Sequence, residues 1–429
     1  MPLKILNVLR LARDLGTAEH PIVPVFWMAT EDHDRAEIDH AWLGAHKVSW
    51  PGAAGGAVGR MRLHGIEAVL EEVDPLLGFG TNADELRTLL RTCYRPEHTL
   101  AQATRLFVNA LFGRFGLVIL DADDAELKAA FAPVVRTELA EQLTEQAVAT
   151  TREQLQPYGE QAHARPINLF HLTDGHRGRI ERTSDGFQVL DGGGQFAASA
   201  LEAEVADHPE HFSPNVLLRP LYQEIVLPNV AYVGGGGEVA YWLQLGPVFE
   251  RFGVPMPAVV LRTSVAFLRP KDVDRLEAMR LRIADLFRPL DELRSRVAQE
   301  HATFNTSLAG ERDRAFALYD QLARRAREAD PTLEGAVRAA AQRALRALER
   351  LEGKFVRAAK REQNDLLARL DAVHEQLFPA GGLQERRDNF MPYYVQHGPA
   401  FFDELLATLD PLDPCFTVLV DDRAASTNA

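Results

Sequence analysis

The chain has 429 residues and a formal net charge of −14, with 46% hydrophobic and 25% charged residues. That length implies two or three domains with ordinary globular cores, and the acidic balance argues against general nucleic-acid binding. Cys93 and Cys415 are the only cysteines, which excludes a disulfide framework and suits a reducing cytoplasm; no run approaches the roughly 20 apolar residues of a membrane span.

The opening stretch MPLKILNVLRLARDLG is broken by Lys4, Arg10, Arg13 and Asp14, and predicts an amphipathic helix over 3–15, not a signal peptide. IVPVFWMAT follows as a short apolar strand and runs straight into Glu31, Asp32, His33 and Asp34. Residues 44–80, rich in Gly and Pro with GAAGGAVG inside, read as an insertion. FGLVILDADD is the next strand and ends on Asp121, Asp123 and Asp124; helical patterns cover 84–113 and 124–156. Buried strands alternating with helices predict an α/β fold with a parallel, Rossmann-like sheet. Ligands of such sheets bind outside the carboxyl ends of the strands, where both acidic clusters fall.

Residues 165–196 change texture. Short apolar runs separated by DG turns predict antiparallel hairpins. The α/β pattern resumes with a helix over 213–226, the strand NVAYVG, a helix in EVAYWLQLGPVFERF and a strand in AVVLRTSVAFL. From 271, Leu276, Met279, Ile283, Leu286, Leu290, Leu293 and Val297 alternate spacings of three and four, a heptad seam in which Pro289 is a kink. Asp330 and Pro331 read as the N-cap and first turn of a long helix reaching about 378. The expected organisation is a core over 1–164, a small β-rich insertion over 165–212, a second part of the core over 213–269, an α-helical coiled-coil arm over 270–380 and a tail over 381–429 that returns to the core.

Several residues are candidates for chemistry. Glu31, Asp32, His33 and Asp34, at the mouth of the sheet, suit Mg2+, a substrate amine or acid–base work, against the plain reading of a solvated loop with an acidic helix start. HDRAEIDH offers His33, Glu37 and His40 without the H-E-x-x-H order of a zinc helix, so no metal site is assigned. Gly234, Gly235, Gly236 and Gly237 between a strand and a helix allow close backbone approach to a ligand; Glu238 there disfavours a pyrophosphate and favours an amine, a sugar hydroxyl or a bridging metal. Arg219, Gln223 and Glu224 share a helical turn that could clamp a carboxylate through Arg219, against the plain reading of a surface ion pair. Arg262 and Ser264 are expected on a strand, and Gln384, Glu385, Arg386 and Asn389 form a polar cluster against aromatics. His64, His98, His163, His171 and His176 lack ligand spacing and are read as structural. Arg343, Arg346, Arg350, Lys354, Arg357 and Arg361 share one face of the arm that could carry a phosphate or tRNA, against the favoured reading of a solvated coiled-coil face.

VPVFWMATEDHDRAEI, HPEHFSPNVLLRPLYQEIVLPNVAYVGGGGEVAYWLQL and QERRDNFMPYYVQHG together resemble the bacillithiol-biosynthesis cysteine-adding family, BshC. The resemblance runs from about residue 2 to the tail. It implies a Rossmann-like core, connecting insertions and a coiled-coil arm that makes a homodimer. The implied activity is a ligase joining cysteine as an amide to the amino group of glucosaminyl-malate. ATP would activate the carboxyl, Mg2+ is a possible companion, and the location would be cytoplasmic, with no nucleic acid or membrane partner. The matched site positions are Glu31, Asp32, His33, Asp34, Arg219, Gln223, Gly235, Gly237, Glu238, Tyr241, Trp242, Gln384, Glu385, Arg386 and Asn389. Members of that family begin with a longer segment that ends in a strand and a glycine-rich loop. This chain opens at Met1-Pro2-Leu3, inside the helix that follows, so that strand is expected to be missing. Two other readings are an aminoacyl-tRNA-synthetase-like nucleotidyl transferase, weakened by the lack of HIGH and KMSKS, and a non-enzymatic coiled-coil binding protein.

Overall fold

The computed structural model describes residues 1–52, 55–159 and 161–420. They divide into two compact units, one formed by 1–265 with 387–417 and the other by 266–386 with the chain from 418.

In the first unit, the helix Pro2–Leu15 buries Ile5, Leu6, Leu9 and Leu11 and precedes strand β1 (Val25–Met28). A hairpin of β2 (His40–Leu43) and β3 (His46–Ser49) follows, then the helices Ile66–Leu76, Thr81–Cys93 and Leu100–Phe112. The helical pattern over 84–113 is carried by the last two of these. Thr99 opens the second, accepting from the Gln102 N–H while the Gln102 side chain accepts from the Thr99 N–H. Strand β4 (Val118–Asp121) pairs in parallel with β1, Val25 opposite Val118 and Met28 opposite Asp121. Asp124 then caps the helix Ala125–Glu141 by accepting from the N–H groups of Glu126 and Leu127.

Strands β5 (Leu169–Thr173), β6 (His176–Thr183), β7 (Gly186–Val189), β8 (Gly194–Phe196) and β9 (Phe212–Pro214) form a five-stranded antiparallel sheet in the order β8-β7-β6-β5-β9. Two-residue loops join β5 to β6 and β6 to β7; Gly175 sits at φ +74° in the first, a conformation that needs glycine. This sheet has no separate core. Leu169, Ile180 and Val189 share one with Phe131 and Val135 of the helix Ala125–Glu141 and with Leu221, Tyr222 and Trp242.

The helix expected over 213–226 begins only at Arg219, because β9 and a turn held by Asn215 occupy the residues before it. Strand β10 (Ala231–Gly234) pairs in parallel with β11 (Ala258–Leu261). Between them the single helix expected in EVAYWLQLGPVFERF is two, Gly236–Trp242 and Gly246–Phe252. Pro247 supplies no N–H and starts the second one. The strand expected across 258–268 also breaks, so Arg262 and Ser264 lie on the link between β11 and β12 (Val265–Leu268), not within a strand. The parallel sheet consists of two separate pairs, β1–β4 and β10–β11.

The second unit is helical apart from β12 paired with β13 (Thr417–Val420). The seam from Leu276 to Val297 does not run on one helix. It divides among Pro270–Ala278, a turn over Ile283–Phe287 and the helix Leu290–His301, with Arg280 at φ +56° in the break. Asp330 does not open a helix reaching 378. It lies in the turn between Ala309–Ala329 and Leu333–Glu362, where its carboxylate accepts from the N–H and hydroxyl of Thr332; a further helix, Asn364–Leu377, follows. Arg327 pairs with Glu334 near the turn and Arg312 with Glu352 farther out, so the two long helices are antiparallel.

Candidate active site at the ends of the parallel strands

The charged half of FWMATEDHD does not face water as a whole. Glu31 is fully buried, and its carboxylate lies 3.3 Å from Nζ of Lys128, itself buried on the helix Ala125–Glu141. The same ammonium donates to Asp123 Oδ1 at 2.7 Å and to the carbonyl of Glu210 at 3.2 Å. Arg60 grips Asp123 through Nε and Nη2, the second bond being 2.9 Å. Burial alone would raise the Asp123 carboxyl, but Arg60 and Lys128 more than offset it and hold it below the usual range.

Asp32 accepts from Arg219 at 3.0 Å and from its neighbour's backbone, the His33 N–H, at 2.8 Å. Burial pushes its carboxyl up, and Arg219 and Arg177 pull it further down. Arg177 reaches in from β6: its guanidinium lies over the ring of Phe170 at 3.8 Å, donates to Ser213 Oγ at 3.2 and 3.1 Å, and donates to His33 Nδ1 at 2.7 Å. Burial draws the Arg177 guanidinium down to about 10, still charged at neutral pH. Because Nδ1 accepts that bond, the neutral His33 ring carries its hydrogen on Nε2. Asp34 is exposed and makes no capping bond with its side chain.

The 44–80 segment reaches this loop by close backbone contact. Gly59 N–H donates to the Thr30 carbonyl and Val58 N–H to that of Asp32, both at 2.7 Å. A Cβ on Gly59 would stand 2.4 Å from Thr30 Cβ and 2.8 Å from its carbonyl oxygen, so only glycine lets the segment approach and bring Arg60 to Asp123.

Two cavities flank this loop. One of about 630 Å3 is lined by Thr30, Arg60, Gln102, Arg105, Asp121 and Asp123. The other, about 480 Å3, lies among residues of β1 and β10 and the helices beside them, and its lining includes Lys4, Arg219, Gln223, Glu238, Tyr241 and Trp242. Glu238 is firmly held there. Its carboxylate accepts from the Gly235 N–H and the Tyr232 hydroxyl, both at 2.8 Å, and pairs with Lys4. Gly234 is packed against Tyr232 and Glu238, whereas a Cβ on Gly236 or Gly237 would meet nothing within 4 Å. Only the first two glycines are therefore used by the fold, Gly234 for space and Gly235 as the cap.

The predicted residues divide accordingly. Asp32, His33 and Arg219 belong to one network through Arg177, Glu31 to a second with Lys128, Asp123 and Arg60, and Arg219, Gln223, Glu238, Tyr241 and Trp242 line one cavity. Arg262, Ser264, Gln384, Glu385, Arg386 and Asn389 line neither. Asn389 instead accepts from the Met391 N–H and donates its own N–H to the Trp42 carbonyl. In the second unit, buried Gln384 bonds both the N–H and the carbonyl of Phe267, a structural tie. Sequence reasoning missed Lys4, Arg60, Lys128 and Arg177. A signal existed: acids that leave water together need cations, and the segments around them hold few candidates.

The relation to known proteins agrees with this arrangement. The N-terminal Rossmann-like domain of Bacillithiol biosynthesis BshC matches residues 2–263 and its C-terminal coiled-coil domain matches 265–420. A protein of Flavobacterium johnsoniae named "Putative cysteine ligase BshC" is 37% identical over 418 residues, covering 97% of this chain and 79% of the relative. Proteins of the same name from Christiangramia forsetii and Salinibacter ruber are 36% and 34% identical, covering 98% and 90% of this chain and 80% and 73% of their own lengths. With both domains matched in order and nearly the whole chain aligned, this protein belongs to the BshC family.

Proposed function

We propose that the protein is a cysteine ligase of bacillithiol biosynthesis, forming an amide between the carboxyl of cysteine and the amino group of glucosaminyl-malate. The observation that carries this reading is the 480 Å3 cavity along β1 and β10, where Arg219, locked by Asp32, stands with Gln223, Tyr241 and the anchored Glu238. A cationic group fixed in a largely apolar cleft suits a substrate bearing carboxylates, as the malate part does.

A carboxylate does not react with an amine unaided, so ATP is the activating substrate. The cysteine carboxylate oxygen attacks the α- or γ-phosphorus of ATP, breaking the adjoining phosphoanhydride bond to release pyrophosphate or ADP, and forms a mixed anhydride. The amine then displaces AMP or phosphate from the acyl carbon and loses one proton. His33 lines neither cavity; with Nδ1 engaged by Arg177 it is a positioning residue of the loop that carries Asp32, the partner of Arg219. Glu238, with both oxygens engaged, is a positioning residue. Mg2+ fits poorly as an ion held by protein: Asp123 is committed to Arg60 and Lys128, and Asp121 Oδ1 to Thr30 and the Asp123 N–H. It would arrive with the nucleotide phosphates.

The helix pair of the second unit leaves Phe316, Leu318, Leu322, Leu351 and Phe355 exposed, which supports a homodimer through the arm. No helix among the described residues is long and apolar enough to cross a membrane. The test is purified protein with glucosaminyl-malate, cysteine and ATP, read by mass spectrometry for the amide. Product that depends on all three supports the proposal; no product from folded protein overturns it.

A further inference from the structure

Outside the strand-end site, three side chains distant in sequence converge on one point of the antiparallel sheet. His171 on β5 is buried, and its Nε2 stands 2.9 Å from Glu204 Oε1 on the helix Ala198–Asp207. His211, on the turn Pro209–His211, brings Nδ1 to 2.8 Å from the same oxygen. All three donor atoms lie within 4.8 Å of one another. Phe196 and Phe212 wall the His171 ring, with centroids at 5.3 and 5.8 Å. On the outer side His208 stacks on His211 at 5.0 Å, and the Glu210 carboxylate lies 4.0 Å from His211 Nε2.

From this geometry we propose a transition-metal site, with Zn2+ as its preferred ion, held by His171 Nε2, Glu204 Oε1 and His211 Nδ1. Two imidazoles and a carboxylate with no sulfur suit Zn2+, and two nitrogen ligands disfavour Mg2+ and Ca2+. Ligand bonds of about 2.0–2.2 Å in a tetrahedron put neighbouring donors a little over 3 Å apart. The present N–O separations need to open by only a few tenths of an ångström. The Glu210 carboxylate lies 3.1 Å from His208 Nδ1 and 4.0 Å from His211 Nε2, so a small shift brings it to the remaining N–H of His211, where metal-bound imidazoles usually have an outer partner. Three protein ligands leave a fourth position for water.

The ligands come from three elements, so the ion ties β5 to the crossover that ends at β9. The next residues, Ser213 and Pro214, hold Arg177, which in turn holds His33. The site is thus a clip behind the strand-end network, and it stands or falls independently of the ligase reading.

The test uses the full chain, stripped with chelator and titrated with Zn2+ against a chromogenic competitor, with metal content measured after desalting. Expected are one equivalent of Zn2+, a rise in melting temperature on loading, and visible absorption bands of tetrahedral Co2+ when Co2+ replaces it. His211→Gln and Glu204→Gln should each weaken binding at least about 100-fold, since even outer partners of a metal ligand are worth about 10–100-fold. His176→Asn, outside the cluster, should bind as the parent does. Circular dichroism of the stripped variants separates lost binding from lost folding; for a variant that does not fold, His171→Gln takes its place. Absence of stoichiometric binding by the parent overturns the proposal, and so does binding that survives His211→Gln and Glu204→Gln unchanged.

Discussion

Replacing Lys128 by Met tests the strand-end network most directly. The side chain of Lys128 is 1% exposed and that of Glu31 is 0% exposed, and Lys128 is the one cation within 4 Å of the Glu31 carboxylate among the described residues. Asp123 keeps Arg60 when the lysine is removed, but Glu31 is left charged, buried and without a hydrogen-bond donor. Breaking one half of a buried pair costs about 3–5 kcal/mol, most of it the stranded charge. Lys128→Met should therefore destabilise by about that amount, and adding Glu31→Gln should return about half or more of it. Urea unfolding read by tryptophan fluorescence isolates the effect, because Trp27, Trp42, Trp50 and Trp242 all lie in the first unit. A loss below about 1 kcal/mol for Lys128→Met, or strict additivity with Glu31→Gln, would refute the coupling.

Three further outcomes follow from the same geometry. Asp123 has a carboxyl held below 3.8 by Arg60 and Lys128 against the upward push of burial. Its stabilising contribution is complete above 3.8 and is lost as pH falls from there through the lowered folded value; Asp123→Asn should flatten that acid limb in pH-dependent melts, and an unchanged slope would count against the assignment. Gly59→Ala forces a Cβ onto Thr30, so it should cost about 1–3 kcal/mol, the usual range for overpacking, and lower the melting temperature; a neutral effect would mean the segment is free to shift. Phe316 and Phe355 are 63% and 40% exposed on the helix pair, and the double change to Glu should convert a dimer to a monomer in light scattering while leaving the melt of the first unit unchanged.

What the sequence determined is local. The apolar run Val25–Met28 ending in carboxylates already locates the carboxyl end of a parallel strand, and the DG turns already locate the hairpins, because alternation and turn chemistry act within a few residues. Periodicity also marked the helices of the arm, yet not their ends: Asp330 has the chemistry of a cap whether it opens a long helix or closes a turn between two, and antiparallel packing selected the turn. The partners of the charges were decided only by tertiary structure. Arg60 comes from a segment that reads as an insertion, Arg177 from a hairpin and Lys128 from a helix, and each meets its acid across a long stretch of chain. His171, Glu204 and His211 carry no ligand spacing for the same reason. Spacing along a chain reports which way side chains point within one element; which charges leave water together depends on how separate elements pack, and there an acid left alone would be too costly to bury.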